Sequence, residues 1–300
     1  MKLQDLLNTA GALRFGLWLG RVIPLRLGLA LSDLITGFFV RRSDSPLLKT
    51  VSGNLRVVLG PDVPEEQVMR TTGAVFRNAG RMYFNFFHSV GKGTESVVDQ
   101  VTFSSQTNYH LWERAEAGQG AVVVGAHLGP FDMAAVALSQ MDIPVKVLAW
   151  ADPTRGYQVQ NELRSIAKVQ WMTIGTKALR DAIRLLRNGG FAMTAVDRPV
   201  SIDREEQLLF FGRPTGMPVG HVRLALQTNV PVLVVAAEYF PDRNHVMVHI
   251  VKRVDMEHTG DKREDIRRNA QRILTIIESL IIARPEQWMM YFPVWEDVAD

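Results

Sequence analysis

The sequence predicts an α/β fold in which a largely parallel central sheet is flanked by helices and preceded by an N-terminal helical portion. Three observations predict it. From residue 97 onward, short apolar runs alternate with segments of helical periodicity. One of those runs, Ala121 to Gly125, carries three consecutive valines, as a strand buried on both faces does. A final segment, Arg263 to Ala283, repeats Ile266, Ala270, Ile273, Ile277 and Leu280 at helical spacing and stops before Pro285, as a helix packed on a sheet does.

Residues 11 to 40 are the most apolar region, but Arg14, Arg21, Pro24, Arg26 and Asp33 interrupt them. No uncharged run reaches the roughly 18 residues that a bilayer crossing needs. Two helices lying on a membrane surface fit better, with Leu17, Trp18, Leu27, Leu29, Phe38 and Phe39 supplying apolar contact and the arginines reaching toward headgroups. A soluble core hairpin is the competing reading. The charges inside the apolar part argue against a cleavable signal peptide. A polar connector, Arg41 to Pro46, then leads to a segment ending at Gly60-Pro61. Asp62 and Glu65 suggest a capped helix start, with the helix running to about His88 and carrying Val68, Val75, Met82, Phe86 and Phe87 inward.

The α/β portion follows. Val97 to Phe103, Ala121 to Gly125, Val145 to Trp150, Val169 to Thr173, Phe191 to Val196, Val230 to Glu238 and Val246 to Val251 read as strands. Tyr109 to Ala117, Gln158 to Ala167 and Lys177 to Arg187 read as helices, as does the segment from Pro218. Pro241-Asp242-Arg243-Asn244 suits a hairpin turn, so the last strand is expected antiparallel to its predecessor. No linker separates domains. One domain is expected over 1–300, comprising membrane-associating helices (1–40), a helical portion (41–96) and an α/β catalytic portion (97–300).

Of the 300 residues, 47% are hydrophobic, enough for a packed core. The net charge of +3 and pI near 9.3 admit phosphates, anionic lipid or nucleic acid as partners without choosing among them. A nucleic-acid role has no basic stripe with interleaved aromatics to support it. With no cysteine, disulfides, thiolate metal sites and a cysteine nucleophile are excluded. Gly-x-Ser-x-Gly, Walker, Gly-x-Gly-x-x-Gly and His-Glu-x-x-His motifs are absent. His245 and His249 lie about 13 Å apart along a strand, so no metal site is expected.

His127 and Asp132 flank a turn at Gly129-Pro130, between the valine strand and a helix through Met133, Val136 and Ala137. Five residues is the wrong spacing for a shared face of a helix or a strand, so only the turn can bring the two together. There the carboxylate can hold one imidazole nitrogen and leave the other as a general base. An aspartate in a first helical turn is equally explained by the helix dipole. Asp197 directly follows the Phe191 to Val196 strand, and in a parallel sheet it can face His127 across the shared rim. The charged segment Pro199 to Leu209 would form a flap, and Arg213 and Arg223 are cations near that rim.

The ordered set Ala126-His127-Leu128-Gly129-Pro130-Phe131-Asp132, Asp197 after a strand, Phe210-Phe211-Gly212 leading to Gly216-Met217-Pro218-Val219-Gly220, and Arg284-Pro285-Glu286-Gln287-Trp288 resembles the lipid A biosynthesis acyltransferase family of the lysophospholipid acyltransferase superfamily. It is most similar to the phosphatidylinositol mannoside acyltransferase branch, and Asn54-Leu55 also fits. Pro130-Phe131 stands where the family usually has Asn-Trp, and the branch has Glu near the position of Asp197. The resemblance implies transfer of a fatty acyl group from a thioester to a glycolipid hydroxyl by a peripheral, monotopic enzyme at the cytoplasmic face of the cell membrane. The donor would be acyl-CoA or acyl carrier protein, and no cofactor is required. His127, Asp132 and Asp197 would be catalytic, with backbone N–H groups around Gly129 meeting the oxyanion. Arg164, Arg198, Arg213 and Arg223 would bind substrate. Glycerolipid-specific relatives carry Glu-Gly-Thr-Arg where this chain has Asp197-Arg198-Pro199, which favours a sugar acceptor over a lysophospholipid. A non-catalytic membrane-surface lipid carrier remains the alternative from another class.

Overall fold

The fold is described by a computed structural model covering residues 10–41, 45–105, 107, 111, 113–114, 117–141, 143–149, 170–201 and 207–298, with side chains from residue 16 onward. Much of the expected 109–117 helix, all of the 158–167 helix with Arg164, and the charges at 203–206 lie outside the described residues.

Seven strands form one sheet: β1 (Val101–Phe103), β2 (Ala121–Gly125), β3 (Val145–Ala149), β4 (Trp171–Thr173), β5 (Phe191–Ala195), β8 (Val232–Phe240) and β9 (His245–Val254), in the order β1-β9-β8-β2-β5-β3-β4. All neighbours are parallel except β8 and β9, the hairpin expected at Pro241–Asn244, where Asn244 takes φ 47°. β2 is central, and residues 121–124 are fully buried, which is why it reads as unbroken valine rather than as alternation. The two strands missing from this list, β6 (Leu208–Phe210) and β7 (Arg213–Thr215), form a separate antiparallel hairpin. It was not expected. Its two-residue turn uses Phe211 (φ 52°) and Gly212 (φ 71°), a type I′-like geometry that the Phe-Phe-Gly spelling hides.

The N-terminal expectation of two helices holds, with α1 (Ala10–Val22) and α2 (Leu25–Val40) broken at Pro24. After α3 (Pro46–Leu59) comes α4 (Glu65–Lys92), four residues longer than expected. Its N-cap is Pro64, with no side-chain cap bond, so the capped start read from Asp62 and Glu65 is wrong; the two glutamates of the first turn favour the helix through its dipole instead. The apolar run from Val97 is not a single strand either: α5 (Thr94–Val98) takes its first residues, and only 101–103 pair with β9. α6 (Phe131–Ser139), α7 (Thr176–Arg187), α8 (Gly220–Thr228) and α9 (Lys262–Ala283) complete the layers.

α1 and α2 both pack on α4. Gly28 lies against the Phe84 ring so closely that a Cβ would overlap it, and Arg81 on α4 grips Asp33 on α2 through Nε and Nη2 at 2.7 and 2.5 Å. One face of α2 packs on α4. Leu27, Leu31, Leu34, Ile35 and Phe38 are exposed, reaching 71% at Leu34 and 66% at Phe38, while Leu29 and Phe39 are half-buried. Trp18 and Val22 on α1 are exposed as well, as are Arg21 and Arg26. Among the described residues no helix is long and apolar enough to cross a membrane.

Candidate active site

β2 and β5 pair in register, Ala121 with Phe191 through Gly125 with Ala195. Continued two residues past both strand ends, the same register brings His127 level with Asp197. The two side chains meet there: Nδ1 lies 2.7 Å from Oδ1, and the His127 backbone N–H donates to Oδ2 at 2.8 Å. Asp197 is wholly buried, while the His127 side chain keeps 28% of its surface. A buried carboxylate persists as an anion only when donors surround it, and a third donor is present. The Trp288 indole Nε1–H donates to Oδ2 at 2.8 Å.

Burial alone would drive the imidazole toward neutrality, but the charge of Asp197 and its hydrogen bond outweigh burial and raise the His127 pKa above the usual histidine value. Burial likewise opposes ionisation of Asp197, yet His127, Trp288 and the His127 backbone N–H together hold it below the usual carboxylate range. Asp197 is therefore the carboxylate bonded to Nδ1, a role the sequence assigned to Asp132. Asp132 sits in the first turn of α6 and raises the His127 pKa through its charge.

The turn after β2 is set by a close approach. Gly129 takes φ +64°, and a Cβ there would lie 1.8 Å from the Ala237 carbonyl oxygen of β8. Its N–H donates to the Gln287 carbonyl at 3.0 Å, so among the backbone groups around Gly129 this one already has a partner. Met289 N–H donates to the His127 carbonyl at 2.8 Å, and Leu128 bridges Trp288 in antiparallel fashion. Residues 287–289 thus run as a strap along 127–129. The Gln287 amide pairs with both backbone groups of Tyr239 (2.9 and 2.8 Å), filling the ladder where β8 outruns β2. Asn54 of α3 ties down the strap's continuation, donating to the carbonyls of Met290 and Phe292 and accepting from Val294 N–H. Phe210 and Phe211 of the β6–β7 turn meet the Trp288 ring at centroid distances of 6.5 and 6.4 Å.

The resemblance segments at 126–132, 197, 210–212 and 284–288, together with Asn54, therefore converge on one carboxylate, its histidine and the strap behind them. Residues 9–297 match the model of the family described as bacterial lipid A biosynthesis acyltransferase. The chain belongs to that family. It is also 26% identical over 200 residues to the phosphatidylinositol mannoside acyltransferase of Mycolicibacterium smegmatis (strain ATCC 700084 / mc(2)155), a match covering 64% of this chain and 62% of that relative.

Of the other site residues that the resemblance implied, Arg198, Arg213 and Arg223 are among the described residues and Arg164 is not. Arg198 follows Asp197 and stacks its guanidinium over the Phe292 ring, 3.7 Å from the centroid, and its charge works against protonation of His127. Arg213, on β7, binds Asp297 through Nη2 at 2.5 Å, an exposed pair that ties the hairpin to the C-terminal segment. Arg223 is exposed in the first turn of α8. What the sequence reading missed is Trp288 as a partner of Asp197; its motif was noticed, but nothing in the spelling shows where an indole N–H points.

Beside His127 lies an opening lined by Met82, Tyr83 and Phe86 of α4, by Phe131 and Met133 of α6, and by Met289 of the strap, with Asp132 at its edge. Phe131 meets the His127 ring edge-on at 5.4 Å. The lining is apolar apart from Asp132 and the Tyr83 hydroxyl, and α4, which forms one wall, is the helix on which α1 and α2 rest.

Proposed function

We propose that the protein is a membrane-associated O-acyltransferase that moves a fatty acyl group from an acyl thioester, either acyl-CoA or acyl carrier protein, to a hydroxyl of a glycolipid. The observation that carries this reading is the His127–Asp197 pair, whose imidazole packs against Phe131, a residue lining a largely apolar opening. With Nδ1 held by Asp197, Nε2 is the nitrogen left to take the proton of the acceptor hydroxyl. The alkoxide oxygen attacks the thioester carbonyl, the tetrahedral intermediate collapses with loss of the C–S bond, and the imidazolium returns the proton to the departing thiolate. No bond to the enzyme forms, in keeping with a chain that has neither cysteine nor a serine elbow. Asp197 stays ionised throughout and stabilises the imidazolium.

Family membership supports acyl transfer on lipids, and the named relative supports a mannosylated acceptor. The exposed apolar face of α2 supports peripheral, monotopic attachment, which we place at the cytoplasmic face of the membrane. The apolar side chains lining the opening, Met82 and Phe86 among them, are of the kind an acyl chain contacts, and Arg198, next to Asp197 in sequence, suits the phosphates of a phosphopantetheine donor. Asp197 is closed off behind His127, so an acceptor hydroxyl meets the imidazole and not this carboxylate, and the preference for a sugar acceptor rests on the family and its named relative.

The test is incubation of purified protein with radiolabelled acyl-CoA, a mannosylated phospholipid and lysophosphatidic acid in one detergent mixture. A labelled ester on the mannolipid, lost with His127→Ala, is expected. Exclusive labelling of lysophosphatidic acid overturns the acceptor class, and lipid binding without any new ester makes the protein a carrier.

A further inference from the structure

We propose that Trp288 is a positioning residue that fixes the orientation and sets the basicity of His127 through Asp197, an inference that rests on His127 being the base. The carboxylate has two oxygens with different tasks. Oδ1 faces Nδ1, whereas Oδ2 takes both the His127 backbone N–H and the Trp288 Nε1–H, each at 2.8 Å. Two donors on Oδ2 fix the carboxyl plane and leave Oδ1 aimed at the ring. The backbone donor belongs to the same residue as the imidazole and moves with it. Trp288 is the donor that comes from a separate segment, so it references His127 to the rest of the fold.

That reference is rigid. Trp288 is 1% exposed, its main chain is bridged to Leu128, and its ring is flanked by Phe210 and Phe211. A buried indole N–H has one donor and no alternative acceptor nearby as good as an anion, so the bond persists whether the neighbouring imidazole is neutral or charged. The donor also shares the carboxylate's negative charge with His127. Removing it leaves that charge undivided on the imidazole, which then holds its proton to higher pH, and allows the carboxyl plane to turn.

The experiment replaces Trp288 with 3-benzothienylalanine, which keeps the ring shape but substitutes sulfur for N–H, and in parallel makes Trp288→Phe. Turnover is followed against pH, with acyl-CoA and mannolipid varied, beside a thermal melt. The expected result is a melt close to that of the parent for the sulfur analogue, KM values within about twofold, a plateau kcat reduced roughly tenfold or more, and an acid limb displaced to higher pH. An analogue with parental kcat, or one whose acid limb stays in place or moves down, overturns the proposal. His127→Ala separates this from failure of the underlying reading: if that variant keeps parental turnover, His127 is not the base and Trp288 has nothing to position. If its turnover is lost while the analogue behaves as the parent, only the Trp288 inference fails.

Discussion

His127 and Asp197 stand two residues beyond the ends of neighbouring parallel strands, in the same register that pairs Gly125 with Ala195. The contact at Nδ1 is thus an extension of the sheet ladder by side chains, and its precision derives from the strands rather than from the loops that follow them.

If that contact holds the base, His127→Ala loses at least about 10³-fold in kcat with an unchanged circular dichroism spectrum. Asp197→Asn is expected to cost comparably, because an amide cannot stabilise the imidazolium. Asp132→Asn, which removes a charge acting through space, is expected to cost less than Asp197→Asn. Steady-state turnover of the three variants ranks them, and a larger loss for Asp132 would return the orienting role to that residue.

The pH profile follows from the raised pKa of His127. A base must be neutral to work, so kcat rises with pH along an acid limb centred above the ordinary histidine value of 6.5, and the limb disappears in His127→Ala. Stability responds in the opposite sense. The raised pKa of His127 contributes stability that is complete below 6.5 and is lost as pH climbs through the folded value. The depressed pKa of Asp197 contributes above 3.8 and fades as pH falls through its own folded value. Denaturation midpoints measured from pH 4 to 9 are therefore expected to show the pair's contribution greatest between about 4 and 6.5, so the enzyme is expected to work best where this pair has begun to give up stability.

Gly129→Ala is expected to destabilise the fold by more than about 2 kcal/mol, since a side chain at φ +64° is strained and its Cβ would collide with the Ala237 carbonyl. A fall in the thermal midpoint measures it, and an unchanged midpoint would mean that the turn has another accessible conformation.

Asn54→Ala removes two donated bonds and one accepted bond from the strap and is expected to cost about 2–3 kcal/mol. Turnover should fall along with stability, because Trp288 sits at the head of the tethered segment.

Leu34→Glu combined with Phe38→Glu places two charges on the exposed face of α2 without touching its packing on α4. Co-sedimentation with anionic liposomes is expected to drop at least tenfold while activity toward a detergent-dispersed acceptor is kept. Retained sedimentation would place the lipid contact elsewhere.

Much of the frame was legible in the sequence because each layer has its own period. The valines of β2, the Pro24 break between α1 and α2, and the Asn244 hairpin all announce themselves locally. The β6–β7 hairpin did not, since its turn places a phenylalanine at positive φ, a conformation held by tertiary packing against Trp288 and by the Phe211 N–H bond to Glu278. The site was half legible. Asp132 looked like the partner of His127 because it is close in sequence, but the carboxylate at Nδ1 comes from 70 residues away, through strand register. The position of Asp197 after its strand, across the shared rim from His127, was legible for the same reason, since the strand ends Gly125-Ala126-His127 and Ala195-Val196-Asp197 align; the third member, Trp288, required the path of the strap.

That strap also dictates when the site comes into being. Synthesis makes His127 and Asp197 long before residues 287–294, and the central strands can pair as soon as both have left the ribosome. Until the strap arrives, the Gly129 N–H and the His127 carbonyl lack the partners they have in the finished fold, and Oδ2 of Asp197 has the His127 N–H without the Trp288 indole. A nascent or prematurely terminated chain is thus expected to carry the pair without its buttress, and acyl transfer is withheld until translation has passed the last of these residues.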